Sequence, residues 1–180
     1  MAYSLSLHEI DRDRTRTNED VENASRVWVE QEEKRRAWWA IFQMDNFASV
    51  IASRPFNIDS HRMNVLLPVS DDAWFNCLQT PSAPLSLKGP SEIWKSLQGC
   101  ENQDPYAWFI VCNDLLRAAQ QEFDKLDRSI HDLKVLQSAL HCLALSLSVS
   151  FRLSGMNMIF NDRTFAEKNW TMCTLVLLQW

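Results

Sequence analysis

The sequence predicts an all-α fold, an irregular multi-helix array, and three observations carry that reading. Its 180 residues hold only three glycines and six prolines, and neither Asn-Gly nor Asp-Gly occurs. A sheet protein would need a turn signal about every 8–12 residues. Apolar residues recur at intervals of three and four, as at Ala37, Ile41, Met44, Ala48 and Ile51 and again from Ile130 to Phe151. A hydrophobic fraction of 46% also suits one domain, able to bury roughly 70% of its unfolded surface.

The elements follow in order. Met1 to His8 reads as the end of an apolar helix without its beginning, so the chain is expected to start mid-domain. Glu9 to Asn23 alternates Asp, Arg, Thr and Asn with no apolar period and predicts a solvated loop. Ser25 can cap the next helix, in which Trp28 reaches the core. Ala37, Ile41, Met44, Ala48 and Ile51 form its predicted inner stripe, flanked by Trp38, Ala40, Phe42 and Phe47. Glu30 with Lys34 and Glu32 with Arg36 are acid-before-base pairs at four-residue spacing, each worth roughly 0.2–0.5 kcal/mol, and they mark the solvated half of this helix. Arg54-Pro55 ends it, because proline removes a backbone donor and pushes its predecessor out of the helical region.

From Pro55 to Pro68 the pattern predicts an irregular arm packed on the helices, anchored by Ile58, Met63, Val65 and Leu67. Pro81, Pro84 and Pro90 mark a polar linker. A short helix follows, capped by Ser91, with Ile93, Trp94 and Leu97 inward. Asp104-Pro105 supplies an N-cap followed by proline at the first helical position. Trp108, Cys112, Leu115 and Ala119, beside Phe109, Leu116 and Phe123, make the inner face of the helix so started. Asp127 opens another, with Ile130, Leu133, Leu136, Leu140, Leu143, Leu147 and Phe151 inward, and Gly155 stops it. A last helix from about Thr164 places Trp170, Cys173, Leu177 and Trp180 on one side and ends with no cap. Apolar surface at both severed ends is expected to make the isolated chain sticky.

Composition excludes several chemistries. A net charge of −5 gives no electrostatic footprint for nucleic acid. The five cysteines, Cys77, Cys100, Cys112, Cys142 and Cys173, come no closer than twelve residues, so none has zinc-finger spacing, and their apolar settings predict reduced, buried thiols. His8, His61, His131 and His141 are scattered, and Gly89, Gly99 and Gly155 lie too far apart for a phosphate loop. No apolar run is long enough to span a bilayer. Asp71-Asp72-Ala-Trp-Phe resembles the start of the aspartate-rich magnesium motif of all-α terpene cyclases, but Phe75 stands where a third carboxylate belongs, and a helix-cap or loop reading is preferred. The eight tryptophans are read as packing rather than a cofactor box.

One stretch says more. Between Glu32 and Pro68 come Arg35-Arg36, Trp38-Trp39, an apolar run with Asp45, Arg54-Pro55, Asp59 and Leu67-Pro68. This order resembles the regulatory middle homology region of fungal zinc-cluster transcription factors. Met1, Ala2, Leu5, Leu7 and His8 also follow that family's Met-Ala-x-x-Leu-Gly-Leu-His run, with Ser6 replacing glycine, while Asn64 and Leu66 depart from its usual Asp and Pro. The resemblance implies that residues 1–180 are part of a regulatory domain, cut at both ends. It would modulate RNA polymerase II transcription in the nucleus through intramolecular, co-regulator or effector contacts. It also implies no catalysis and no cofactor in this chain, zinc belonging to an absent upstream cluster. DNA would be reached only through that separate domain, a homodimer is possible, and no membrane is involved. The structural residues carried over are Arg36, Trp38, Trp39, Asp45, Arg54, Pro55, Asp59 and Pro68, with Asp45 and Arg54 expected to pair. The rival readings are an all-α metal-dependent enzyme and a stand-alone interaction module.

Overall fold

The computed structural model describes residues 3–12, 21–125, 127 and 129–147, and of residues 21 and 22 the backbone alone. Over these residues the protein is helical: α1 (Val21–Ile51), α2 (Asp71–Phe75), α3 (Pro90–Ile93), α4 (Pro105–Phe123) and α5 (Ile130–Ser146), with 3-10 turns at Leu7–Glu9 and Ser60–Arg62. The one pairing of extended backbone among the described residues is an isolated bridge between Leu66 and Pro84. The chain divides into two compact units, Met1–Leu85 with Cys100–Asn102, and Ser86–Gly99 with Gln103–Trp180.

In the first unit α1 is the scaffold. Trp38, Trp39 and Phe42 are fully buried on its inner side, and the arm supplies Ile58, Met63, Val65, Leu66, Leu67 and Val69, all buried. All four predicted anchors of the arm are therefore in the core. The helix gives way to a turn after Ile51, where Ser53 takes a φ of +48°. Asp45 then accepts from the backbone N–H groups of Asn57 (3.0 Å) and Ile58 (2.9 Å), fixing the start of the arm.

The second unit packs α3, α4 and α5 against one another. Asp104 caps α4 by accepting from Tyr106 N–H at 2.9 Å, with Pro105 in the first turn, as its sequence predicts. Trp108, Phe109, Cys112 and Leu115 are buried on α4, and Leu136, Ala139 and Leu143 on α5. Burial pushes the Cys112 thiol up to about 12. Gln103 links two parts of the unit, donating to the Leu97 carbonyl (2.9 Å) and accepting from the Trp108 indole (3.2 Å).

Several expectations are overturned. Helix α1 is already running at Val21, so Ser25 lies inside it rather than capping it. No residue between Val21 and Ala24 opposes helix strongly enough to delay its start. The predicted inner stripe of α1 faces outward: Met44 is 72% and Ile51 83% exposed, and Ala37 and Ile41 are exposed as well. Trp38, Trp39 and Phe42 stand on the opposite side and bury far more apolar area per residue, so they choose the face.

Met1 to His8 does not continue as α-helix from Tyr3; it turns, with Ser6 at φ +53°, into the 3-10 turn. That left-handed φ is a physical reason for glycine in the matching family pattern. Gly89 precedes Pro90 at the start of α3, leaving Ser91 within the helix, and Ser129 rather than Asp127 caps α5. Phe123, Ile130 and Leu133, assigned to inner faces, are exposed, as is the Cys77 thiol. Phe151, Gly155, Cys173 and the helix expected from about Thr164 lie outside the described residues.

Candidate regulatory site

The densest polar chemistry of the first unit is a buried clasp between α1, the chain at Asp11, and the arm. Glu32, Arg35, Trp39 and Phe42 recur at three and four, so helical geometry alone puts them on one face of α1. Arg35 is 5% exposed and Asp11 6%. The Arg35 Nε donates to both Asp11 oxygens, at 3.1 and 2.9 Å, its Nη2 donates to Asp11 Oδ1, and its Nη1 reaches Glu32 at 3.3 Å. Asp11 also accepts from Leu66 N–H at 2.8 Å, and Glu32 from Val69 N–H at 3.0 Å.

Arg36 completes the clasp. It donates to Glu32 (3.3 Å), Asp71 (2.6 Å) and the Val69 carbonyl (2.7 Å), and its guanidinium lies 4.4 Å over the Trp74 ring. The Trp39 indole donates to the Leu66 carbonyl at 2.7 Å. The backbone groups of Leu66 and Val69, which form no helix and no ladder, are thus satisfied by side chains of α1 and Asp11. Asn102 donates to the Pro68 carbonyl (2.8 Å) and to Ser82 (2.9 Å), holding the far edge of the same segment.

Burial is the largest influence on Glu32 and holds its carboxyl above the ordinary 4.5, although Val69 N–H, Arg35 and Arg36 all pull it down. Burial also works against the charge of Arg35, but the hydrogen bonds and charge of Asp11, with Glu32, outweigh it and hold the guanidinium above its ordinary value. Both arginines are bonded to carboxylates of this chain, which leaves the clasp suited to holding backbone rather than to attacking a substrate. A cavity of about 340 Å³ opens beside it, lined by Trp28, Gln31, Arg35, Thr80 and Ser82 among others.

Of the eight carried-over residues, the clasp gathers Arg36, Trp39 and Pro68. Trp38 lies apart from it, against Tyr3 and His8 with ring centroids at 6.0 and 6.2 Å. Asp45, Arg54, Pro55 and Asp59 belong to the corner after α1. There the expected pair of Asp45 with Arg54 is not formed. Asp45 is half-buried and takes its donors from Asn57 and Ile58, which the backbone turn brings nearer than the exposed Arg54 side chain. Arg54 contributes its backbone N–H to the Ser49 carbonyl at 3.0 Å, and Ser49 Oγ donates to the Pro55 carbonyl at 3.3 Å. Asp59 caps the Ser60–Arg62 turn.

Sequence reading missed Asp11 and misplaced Glu32 and Arg35, which it set in a solvated loop and a solvated half-helix. The available signal was Glu32 with Arg36 at four-residue spacing, a pair that does form, but in the core. Asp71 and Asp72 belong to the first turn of α2, which Ser70 caps, and Asp71 bonds Arg36. Among the described residues no group of three or more His, Cys, Asp or Glu could hold a metal ion, and no helix is long and apolar enough to cross a membrane.

The charges gathered in the clasp hold the backbone of the same unit. The class of protein comes from comparison with known proteins: residues 1–97 match the model of the fungal specific transcription factor domain, and the chain belongs to that family. This is a class of transcription regulators rather than of enzymes. Over 70 residues the chain is 30% identical to the pigment biosynthesis transcriptional activator pigB of Monascus ruber, an alignment covering 39% of this chain and 13% of that protein. No solved structure matches.

Proposed function

We propose that this chain is regulatory domain of a fungal transcription factor, modulating transcription by RNA polymerase II in the nucleus. It does so through contacts with co-regulators, with other parts of the factor, or with a small effector, and DNA is held by a separate zinc-cluster domain. The observation that carries this reading is the family match over residues 1–97, which contains α1, the whole arm, and all eight motif residues. The physical properties agree with it: net charge is −5, against a basic face for phosphate. The cavity beside the clasp supports the effector route, since a small molecule there would touch Arg35 and so bear on the charges that hold the arm.

The test is a reporter assay in a fungal host. The chain is fused between a heterologous DNA-binding domain and a constitutive activation domain, and output is compared with that of the fusion lacking it. The expected result is a change in output at equal protein level that Arg36→Ala abolishes. Unchanged output from a folded, nuclear fusion would overturn the proposal.

A further inference from the structure

Thr80 stands directly before Pro81, and of the serines and threonines in the 180 residues it alone has proline next in the chain. The five residues leading to it, Phe75 to Gln79, are exposed, and so is Pro81. Residues 78–80 belong to neither helix nor strand, and a residue before proline is biased to extended backbone, the form in which a chain enters a protein kinase. Thr80 itself is half-buried, and its Oγ1 donates to the Leu78 carbonyl at 3.3 Å, a bond inside the same loop. Presenting this hydroxyl therefore breaks nothing in the core. We propose that Thr80 is a phosphorylation site for a proline-directed protein kinase, and that its phosphate docks on Arg35.

The landing place is the cavity beside the clasp, since Thr80, Gln31 and Arg35 all line it. Arg35 Nη2 has two protons to give. One goes to Asp11 Oδ1, whereas the Gln31 Oε1 that Nη2 also reaches is 3.5 Å away, longer than a normal hydrogen bond. A phosphate on Thr80 offers that second proton a dianionic acceptor in place of a distant amide oxygen, and arginine bonds phosphate with charge assistance. The pair with Asp11 persists through Nε and the other Nη2 proton. Asp11 lines the cavity too and repels the added charge, so the gain is that of one such bond rather than several. The loop at 76–82 is thereby tied to α1. In the transfer Thr80 Oγ1 bonds to the γ-phosphorus of ATP, the bond from that phosphorus to its bridging oxygen breaks, ADP leaves, and the hydroxyl proton passes to the kinase's catalytic carboxylate. The inference stands apart from the transcriptional reading.

The test incubates the folded 180-residue chain with ATP and a proline-directed kinase, and maps the phosphopeptides by mass spectrometry. The expected result is one phosphate, at Thr80, absent from Thr80→Ala and from Pro81→Ala while circular dichroism shows both variants folded. Limited proteolysis then compares the phosphorylated and unmodified chains. Cleavage within 76–82 should slow at least about tenfold, the equivalent of one charge-assisted hydrogen bond. A synthetic peptide of residues 73–84 should show no such difference, and Gln31→Glu, which sets a carboxylate where the phosphate lands, should abolish it. A chain phosphorylated at Thr80 only after denaturation would overturn the proposal, as would phosphate taken up elsewhere or not at all. A phosphorylated loop cut as fast as the unmodified one, or protection that survives Gln31→Glu, would overturn the docking on Arg35.

Discussion

Arg35 and Asp11, 24 positions apart in the chain, form a buried ion pair, with the Arg35 Nε 2.9 Å from Asp11 Oδ2. Asp11 also accepts from Leu66 N–H. One carboxylate therefore ties the N-terminal segment, α1 and the arm together. Removing one partner of such a pair leaves a buried charge uncompensated, which typically costs about 3–5 kcal/mol. Asp11→Ala should destabilise by that amount in denaturant melts. Asp11→Ala with Arg35→Met should recover part of the loss, because no guanidinium is then stranded and Glu32 keeps Arg36 as its partner. A loss below about 1 kcal/mol in the single variant, the level of exposed pairs, would show that the pair is not buried in solution.

The carboxyl of Glu32 gives the clasp a pH dependence of definite sign. Its folded value lies above the ordinary 4.5. The folded state thus holds this proton more tightly than the unfolded chain does. The stabilisation is complete below the unfolded value and is lost as pH rises through the folded one. In a series of urea melts, Glu32→Gln should remove that fall with rising pH. The amide oxygen can still accept from Val69 N–H, so the variant remains folded. Parallel stability–pH curves for the two proteins would refute the assignment.

At the corner after α1, Asp45 is the structural residue and Arg54 is not. Asp45→Ala removes an acceptor shared by the Asn57 and Ile58 N–H groups and should cost about 1–2 kcal/mol, the scale of a lost cap. Arg54→Ala, at an exposed side chain, should fall within about 0.5 kcal/mol of wild type. Equal losses in thermal melts of the two variants would restore the pairing read from the sequence.

Trp39 tests the arm from the other side. Trp39→Phe keeps most of the buried ring but strands the Leu66 carbonyl, which accepts from the indole at 2.7 Å. The expected cost is about 1–3 kcal/mol. Limited proteolysis should cut earlier within 63–70 than in wild type, and an unchanged cleavage pattern would separate Trp39 from the arm's anchoring.

Thiol reactivity distinguishes the exposed cysteine from the buried one. Cys77 is exposed, whereas Cys112 is buried with its thiol pushed up to about 12. Iodoacetamide at neutral pH should modify Cys77 readily and reach Cys112 only after denaturation. Mapping the modified peptides by mass spectrometry decides the matter, and native labelling of Cys112 would contradict its burial.

What this sequence determined by itself was whatever depends on neighbours along the chain. Asp104-Pro105 starts α4 because a cap and a preset φ act within one turn, and Pro55 follows the end of α1 for the same kind of reason. Ile58, Met63, Val65 and Leu67 could be read as anchors because they are the large apolar residues of an otherwise polar segment. The motif from Arg35 to Pro68 marked the family. Only the tertiary structure decided which face of α1 is inside. That helix is apolar on two opposite sides, Trp38, Trp39 and Phe42 on one and Ala37, Met44 and Ile51 on the other, so periodicity could not choose between them. The larger apolar area of Trp38, Trp39 and Phe42 decides it, and the arm reinforces the choice, because the backbone of Leu66 and Val69 needs the side chains of Glu32, Arg36 and Trp39 on that same side. The same demand draws Asp11 out of an apparently solvated charge run. A residue's own neighbours cannot report a hydrogen-bond requirement that arises 55 positions away, as between Asp11 and Leu66.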